Sequence, residues 1–169
     1  PLRRWLLVKT LYPFAFDLEF GVSQRAVEAL DRRLTARLLR KRAIVMHNAV
    51  DTTRFTKLAQ AEIVQKKQNL GIEAGVPVIG SVGRLTTQKG YHHFIEAAAL
   101  LARSIADVRF LLVGGGEEEH SLRALAQKLN LTDKFIFTGA RDDAPQLLQI
   151  MNVFVSSSLW EGLPTVILE

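Results

Sequence analysis

From residue 76 onward, short runs of β-branched or aromatic residues alternate with longer segments in which apolar residues return every three or four positions. Successive βα units read this way, because a strand buries a compact run while a helix buries one stripe. Residues 76–82 form the first apolar run and end at Gly83, after which Phe94, Ala97, Ala98 and Leu101 mark one helix face. Arg109–Val113 follows, closed by Gly114, Gly115 and Gly116, and Leu122, Leu125, Ala126 and Leu129 trace the next helix. Phe135–Phe137 and residues 153–155 predict two more strands. The runs are apolar at nearly every position instead of alternating, so both faces of their sheet should be covered. The expected fold is α/β, a parallel sheet with helices on both faces.

Upstream, residues 18–22 and 43–46 predict strands flanking a basic segment between Arg25 and Arg42. There Val27, Leu30, Leu34 and Leu38 repeat at helical spacing with Arg32, Arg33, Arg37 and Arg40 between them, which predicts one amphipathic basic helix. Residues 51–75 are polar and weakly periodic, and a domain junction is placed there. The expected division is residues 1–46, a junction at 47–75, and a sheet domain at 76–169.

Charge sharpens that division. The 22 Lys and Arg outnumber the 17 Asp and Glu for a formal charge of +5. Residues 1–43 hold 10 basic and 4 acidic side chains, the rest of the chain 12 and 13. A basic helix suits an anionic lipid surface, or it is a solvated Arg face over an ordinary core contact. No aromatic residues interleave with its Arg, so nucleic acid is not an expected partner. With no Cys and only 4 His, thiolate chemistry and Cys-based zinc sites are excluded. No apolar run approaches the roughly 18 residues a membrane span needs, and Lys9 interrupts Leu6-Leu7-Val8 before it serves as a secretory segment. The chain begins at Pro1 and stops at Glu169 inside an apolar pattern, so it reads as an excerpt.

In an open parallel sheet, ligands bind at the carboxyl ends of the strands. The first such end places Arg84 and Lys89 on a glycine-bounded loop leading into a helix. A phosphate would suit that pair, with a planar fork, a point charge and a helix N-terminus; equally, one basic pair on a loop is an ordinary surface feature. It is not a Walker P-loop, and Gly114–Gly116 lacks the dinucleotide spacing because position 119 is Glu. Those glycines suit a tight strand exit. Glu117, Glu118 and Glu119 then fall where negative charge is favoured at a helix start. Finally, Glu161 and Glu169 enclose a segment in which Pro164 suits the first helical position. One carboxylate should precede that helix and the other lie inside it, with the backbone N–H groups of Thr165 and Val166 free. A ligand with hydroxyls at its ends and phosphates in its middle, such as a nucleotide sugar, satisfies this layout. Solvated surface carboxylates are the alternative.

The ordered set His47-Asn48-Ala49-Val50-Asp51 with Phe55, Val82-Gly83-Arg84-Leu85, Lys89-Gly90, the Gly114–Gly116 turn, Phe137-Thr138-Gly139 and Glu161 to Glu169 resembles the retaining glycosyltransferases of family 4. Their architecture, GT-B, faces two Rossmann-like domains across a cleft. The resemblance implies that residues 1–46 end an acceptor-side N-terminal domain and that 76–169 form an incomplete C-terminal nucleotide-sugar domain. It implies donor binding by Gly83, Arg84, Lys89, Arg141, Glu161, Gly162, Leu163, Thr165, Val166 and Glu169. Arg84, Lys89 and Glu161 would be catalytic: the cations on the donor diphosphate, Glu161 on the sugar hydroxyls. Glu169 would accept from the ribose, and the backbone near Arg141 would meet the base.

The resemblance further implies sugar transfer with retention through an oxocarbenium-like state, neither Glu acting as covalent nucleophile. No metal and no cofactor are expected; the donor would be a nucleotide-diphosphate sugar, UDP-linked, and the acceptor a saccharide or a lipid-linked sugar in glycan biosynthesis. The expected location is cytoplasmic, peripheral at the inner membrane face. Three positions depart from the pattern: Ala49 where Gly is common, Glu117 for a frequent Pro, and Pro164 for Gly, which removes one N–H from the phosphate cradle. The fragment alone is expected to be inactive. The competing class is a non-catalytic nucleotide-binding or interaction module on the same fold.

Overall fold

The computed structural model describes residue 14 and residues 16–169. These gather into two compact units: the described residues up to Val50 with Glu161–Leu168, and Asp51–Trp160 with Glu169.

In the smaller unit, β1 (Phe20–Gly21) pairs in parallel with β2 (Ile44–Val45). Parallel neighbours need a crossover, and helices α1 (Gln24–Asp31) and α2 (Leu34–Leu38) provide it. Ser23 starts α1 by accepting a hydrogen bond from the N–H of Ala26 at 3.3 Å. The sequence predicts one helix here, and the structure corrects it to two. Arg33 leaves helical geometry at φ −65° and ψ 133°, its guanidinium pairs with Glu19, and its Nε donates to the carbonyl of Leu30 at 2.9 Å. Breaking the helix lets this cation turn inward. The break also shifts the stripe's phase, so Val27 and Ala36 are buried while Leu34 and Leu38 are 71% and 73% exposed. The predicted strands at 18–22 and 43–46 form, each reduced to its two paired residues.

The larger unit holds a four-stranded sheet in the order β5-β4-β3-β6, parallel throughout: β3 is Val78–Val82, β4 Arg109–Val113, β5 Phe135–Phe137 and β6 Val153–Phe154. β3 starts two residues later than its apolar run because Pro77 has no N–H for the ladder; its carbonyl still accepts from Arg109 N at 3.0 Å. Four helices cover the sheet: α3 (Gln60–Asn69), α4 (Tyr91–Ser104), α5 (Glu119–Lys128) and α6 (Ala144–Gln149).

Successive side chains of β4 enter opposite cores. Phe110 and Leu112 join Phe94, Ile95 and Ala98 of α4, Leu122 and Ala126 of α5, and Phe135. Leu111 and Val113 join Ile72, Val78, Leu147 and Ile150, with Ile63 of α3 packed alongside. A sheet buried on both faces is what the unbroken apolar runs predict.

Two details differ from expectation. Ala97 is exposed, and the buried stripe of α4 is Tyr91, Phe94, Ile95 and Ala98. The polar stretch 51–75 contains α3, whose Lys67 is buried with its ammonium donating to the carbonyl of Val76 at 2.9 Å. Long cationic side chains pack their stems and spend their charge on backbone oxygens, which hides such a helix from a hydrophobicity pattern.

Candidate functional site

At the carboxyl edge of the larger unit's sheet the strand-exit loops are tied to one another. The chain leaves β3 at Gly83, whose N–H donates to Val113 O at 2.9 Å; Leu85 N–H then donates to Gly115 O at 3.0 Å, and Leu85 O accepts from Glu118 N at 3.0 Å. The glycines after β4 exist for this approach. A Cβ on Gly114 would collide with the carbonyl of Gly83, and one on Gly116 with the backbone of Leu85. Leu85 is fully buried in the core, so neighbouring Arg84 faces solvent. Among the described residues Arg84 makes no ion pair.

A 3-10 turn, Thr87–Lys89, leads to Gly90 in the left-handed region at φ 59°. A side chain at Gly90 would be strained there and would strike the carbonyl of Ser157. Three further bonds fix the turn: Ser157 Oγ donates to Lys89 O at 2.9 Å, Leu159 N to Gln88 O at 2.8 Å, and Gln88 Nε2 to Trp160 O at 2.9 Å. The Lys89 side chain lies back along Gly83, its Cε 3.4 Å from where a Gly83 Cβ would sit. Gly83, Arg84 and Lys89 therefore share one loop held by core anchoring at Leu85 and by cross-loop bonds at Gln88 and Lys89. Thr87 donates to Glu118 Oε1 at 2.9 Å, while Glu118 Oε2 is buried without a partner among the described residues. Of the three acidic residues expected at the start of α5, Glu119 lies in its first turn, Glu118 is the N-cap residue and Glu117 precedes the helix.

Arg141 lies on the exit loop of β5, which Gly114 N binds through Gly139 O at 2.9 Å. Its side chain is committed to Asp143, Nε to Oδ1 at 2.6 Å and Nη2 to Oδ2 at 3.0 Å; Lys66 Nζ reaches the same carboxylate at 3.0 Å. The Arg141 guanidinium, then Lys66, holds the Asp143 carboxyl well below the ordinary carboxylate range, and the bond to Asp143 raises the Arg141 pKa further. Asp51 is likewise lowered by its bonds from the Thr53 hydroxyl and N–H.

Glu161, Gly162, Leu163, Thr165 and Val166 belong to the smaller unit. Asn48 Nδ2 donates to Leu163 O at 2.8 Å, His47 Nδ1 lies 3.2 Å from Val22 O, and a Cβ on Gly162 would meet Val22. Asn48 thus ties this segment down, while His47 contacts Val22 just after β1. Helix α7 is Thr165–Leu168, with Pro164 immediately before it and Glu161 and Glu169 exposed. Glu169 follows Leu168 directly, and Ile167 N donates to Pro164 O at 3.2 Å at the helix start. By its contacts Glu169 groups with the larger unit. The α2 exit also carries a cavity of about 640 Å³ lined by Asp31, Ala36, Arg37, Arg40, Lys41 and Arg42.

The sequence puts Ser157 and Gln88 on strand-exit loops but assigns no role to them, nor to Asp143 or Lys66. The run Ser156-Ser157-Ser158 after a strand was the available signal for the first; no local pattern marks the others.

A family model described as glycosyl transferases group 1 matches residues 62–169. The chain is 37% identical over 148 residues to a 2-deoxystreptamine glucosyltransferase of Streptomyces kanamyceticus, covering 86% of this chain and 34% of that protein. It is 37% identical over 128 residues to the UDP-Gal:alpha-D-GlcNAc-diphosphoundecaprenol alpha-1,3-galactosyltransferase of Escherichia coli, covering 74% and 33%. Among solved structures it resembles Anabaena HepE in complex with UDP and glucose, at 28% identity and a TM-score of 0.76, covering 89% of this chain and 40% of that one. The chain spans about a third of the length of these curated relatives.

Proposed function

The chain belongs to the glycosyl transferases group 1, and from that membership we propose that it handles the donor in a glycosyltransferase of glycan or polysaccharide biosynthesis. The enzyme would move a sugar from a nucleotide-diphosphate sugar to a saccharide or lipid-linked acceptor. The observation that carries this reading is the loop between β3 and α4. It presents exposed Arg84 and half-buried Lys89 at the sheet's carboxyl edge, and buried Leu85 and constrained Gly90 fix it in place.

As the glycosidic bond breaks, negative charge grows on the departing diphosphate. Cations whose loop is already positioned stabilise that charge without reorganising, and Arg84 supplies a fork where Lys89 supplies a point charge. Glu161 accepts from donor-sugar hydroxyls, Glu169 from the ribose, and the backbone of Gly162, Leu163, Thr165 and Val166 contributes to holding the donor. Pro164 offers no N–H to that set. The family 4 resemblance supports retention of anomeric configuration, with no protein carboxylate bonded to the sugar. A UDP-linked donor is favoured because HepE is similar to this chain and was solved with UDP and glucose.

For the basic segment we propose peripheral contact with an anionic membrane surface on the cytoplasmic side. Supporting it, Arg37, Arg40, Lys41 and Arg42 cluster at the α2 exit beside exposed Leu34, Leu38 and Leu39, a pairing of cations and outward apolar groups that suits a lipid interface. No helix among the described residues is long and apolar enough to cross a membrane.

The test is a panel of UDP-, GDP- and ADP-sugars offered to the full-length protein, scoring release of the nucleotide. Turnover of one donor class is the expected result. No turnover of any, with or without saccharide acceptors, refutes the transferase reading. Sedimentation with vesicles rich in anionic phospholipid tests the membrane contact, and equal partition onto neutral vesicles removes it.

A further inference from the structure

The exit loop of β5 is pinned at both ends while its middle is left open. At the inner end, Gly139 adopts φ 70° and its carbonyl accepts from Gly114 N. At the outer end, Asp143 begins α6 by accepting from the N–H groups of Gln146 and Leu147, each at 3.0 Å, and its carboxylate takes both Arg141 and Lys66. Lys66 comes from α3, 77 residues before Asp143 in the chain, so one ion cluster joins the loop to a helix of the same unit. The side chains of Lys66 and Asp143 are each 27% exposed and that of Arg141 39%, so the cluster is partly buried. Between the pins, Ala140, Arg141 and Asp142 are exposed, and among the described residues neither the N–H nor the C=O of Arg141 makes a hydrogen bond.

An open peptide at the carboxyl edge offers one donor and one acceptor side by side. A nucleobase edge that carries a carbonyl next to a ring N–H is its complement. The Arg141 guanidinium is turned away into Asp143, so the main chain and not the cation is presented to a ligand. Resting on the nucleotide-sugar reading above, we infer that Asp143 is a positioning residue for nucleotide recognition: bridged to Lys66, it folds Arg141 back and holds the 140–142 peptides where the donor's base docks. Asp143 touches no ligand itself. Its contribution is to orientation, and it should be confined to the base.

Two probes separate that role from general structural support, namely UDP and inorganic pyrophosphate, which shares the diphosphate but has no base. In the full-length protein, calorimetric titration should show Asp143→Asn weakening UDP binding roughly five- to tenfold, the loss of about one charge-assisted hydrogen bond, with pyrophosphate affinity unchanged. Lys66→Met should weaken UDP by roughly two- to threefold, again sparing pyrophosphate, and Asp143→Glu should recover part of the loss. UDP affinity within twofold of wild type in both Asp143→Asn and Lys66→Met overturns the inference, and so does equal weakening of the two probes. Wild-type protein that binds neither UDP, GDP nor ADP overturns the donor reading beneath it.

Discussion

The two units use their apolar residues in opposite ways. In the sheet unit Phe110, Leu111, Leu112 and Val113 are at most 1% exposed, and consecutive residues of one strand fill two separate cores. Among the described residues of the unit built on β1 and β2, the buried apolar side chains are Val27 and Ala36, while Phe14, Phe16, Leu18, Phe20, Leu34, Leu38, Leu39, Ile44 and Met46 are exposed. Polar contacts tie its described segments together: Arg33 with Glu19, Asp31 Oδ1 accepting from Ala43 N at 2.8 Å, and Asn48 with Leu163. An apolar residue in the sequence therefore reports a core only where neighbouring elements exist to cover it.

Substitutions turn this contrast into numbers. Phe110→Ala should cost about 3–5 kcal/mol, since it empties the centre of an aromatic cluster in which Phe110 stacks on Phe135 at 5.8 Å between centroids. Chemical denaturation followed by tryptophan fluorescence and far-UV circular dichroism would measure it. Next comes Arg33→Ala, at about 3 kcal/mol, because Glu19 is left nearly buried and unpaired. Arg33→Met with Glu19→Leu should recover most of that loss, which identifies the uncompensated charge as the cause. A cost near zero for Arg33→Ala would mean the smaller unit is not held by its polar ties.

A smaller effect depends on pH. The Asp143 carboxyl is lowered in the folded protein, so its contribution is complete above the unfolded carboxylate pKa of about 4 and is lost as pH falls through the depressed folded value. Wild type should exceed Asp143→Asn in stability at pH 7, and the gap should begin to narrow below about pH 4 and go on narrowing as pH falls toward the depressed folded value. A gap that is constant with pH contradicts the ion cluster. Smallest of all is Leu38→Ala, expected within about 0.5 kcal/mol of wild type because that side chain is 73% exposed; a loss near that of Phe110→Ala would erase the contrast between the units.

The same contrast explains what could be read from the sequence. The βα alternation from residue 76 onward was legible because two-sided burial forces continuous apolar runs, and Phe94, Ala98, Leu122 and Ala126 lie in the core as their spacing implies. Ala97 misled because two overlapping stripes fit α4, and only packing on Phe110 and Phe135 selects the one through Ile95. Lys67 and Arg33 misled for a shared reason: a charged side chain reads as solvent-facing, yet each is buried against oxygen acceptors. The glycines at 114–116 were legible as a tight exit, but their cause, the approach of Gly83 and Leu85, is a tertiary contact. Ser157 and Gln88 shape the Lys89 loop through partners 68 and 72 residues away, a separation that leaves no local trace.

The central claim is that the Arg84 and Lys89 loop receives a departing diphosphate. Turnover of the preferred nucleotide sugar by full-length Lys89→Ala, at wild-type thermal stability, tests it most directly. The account predicts a fall in kcat/KM of about 100-fold or more, and turnover within threefold of wild type would contradict it.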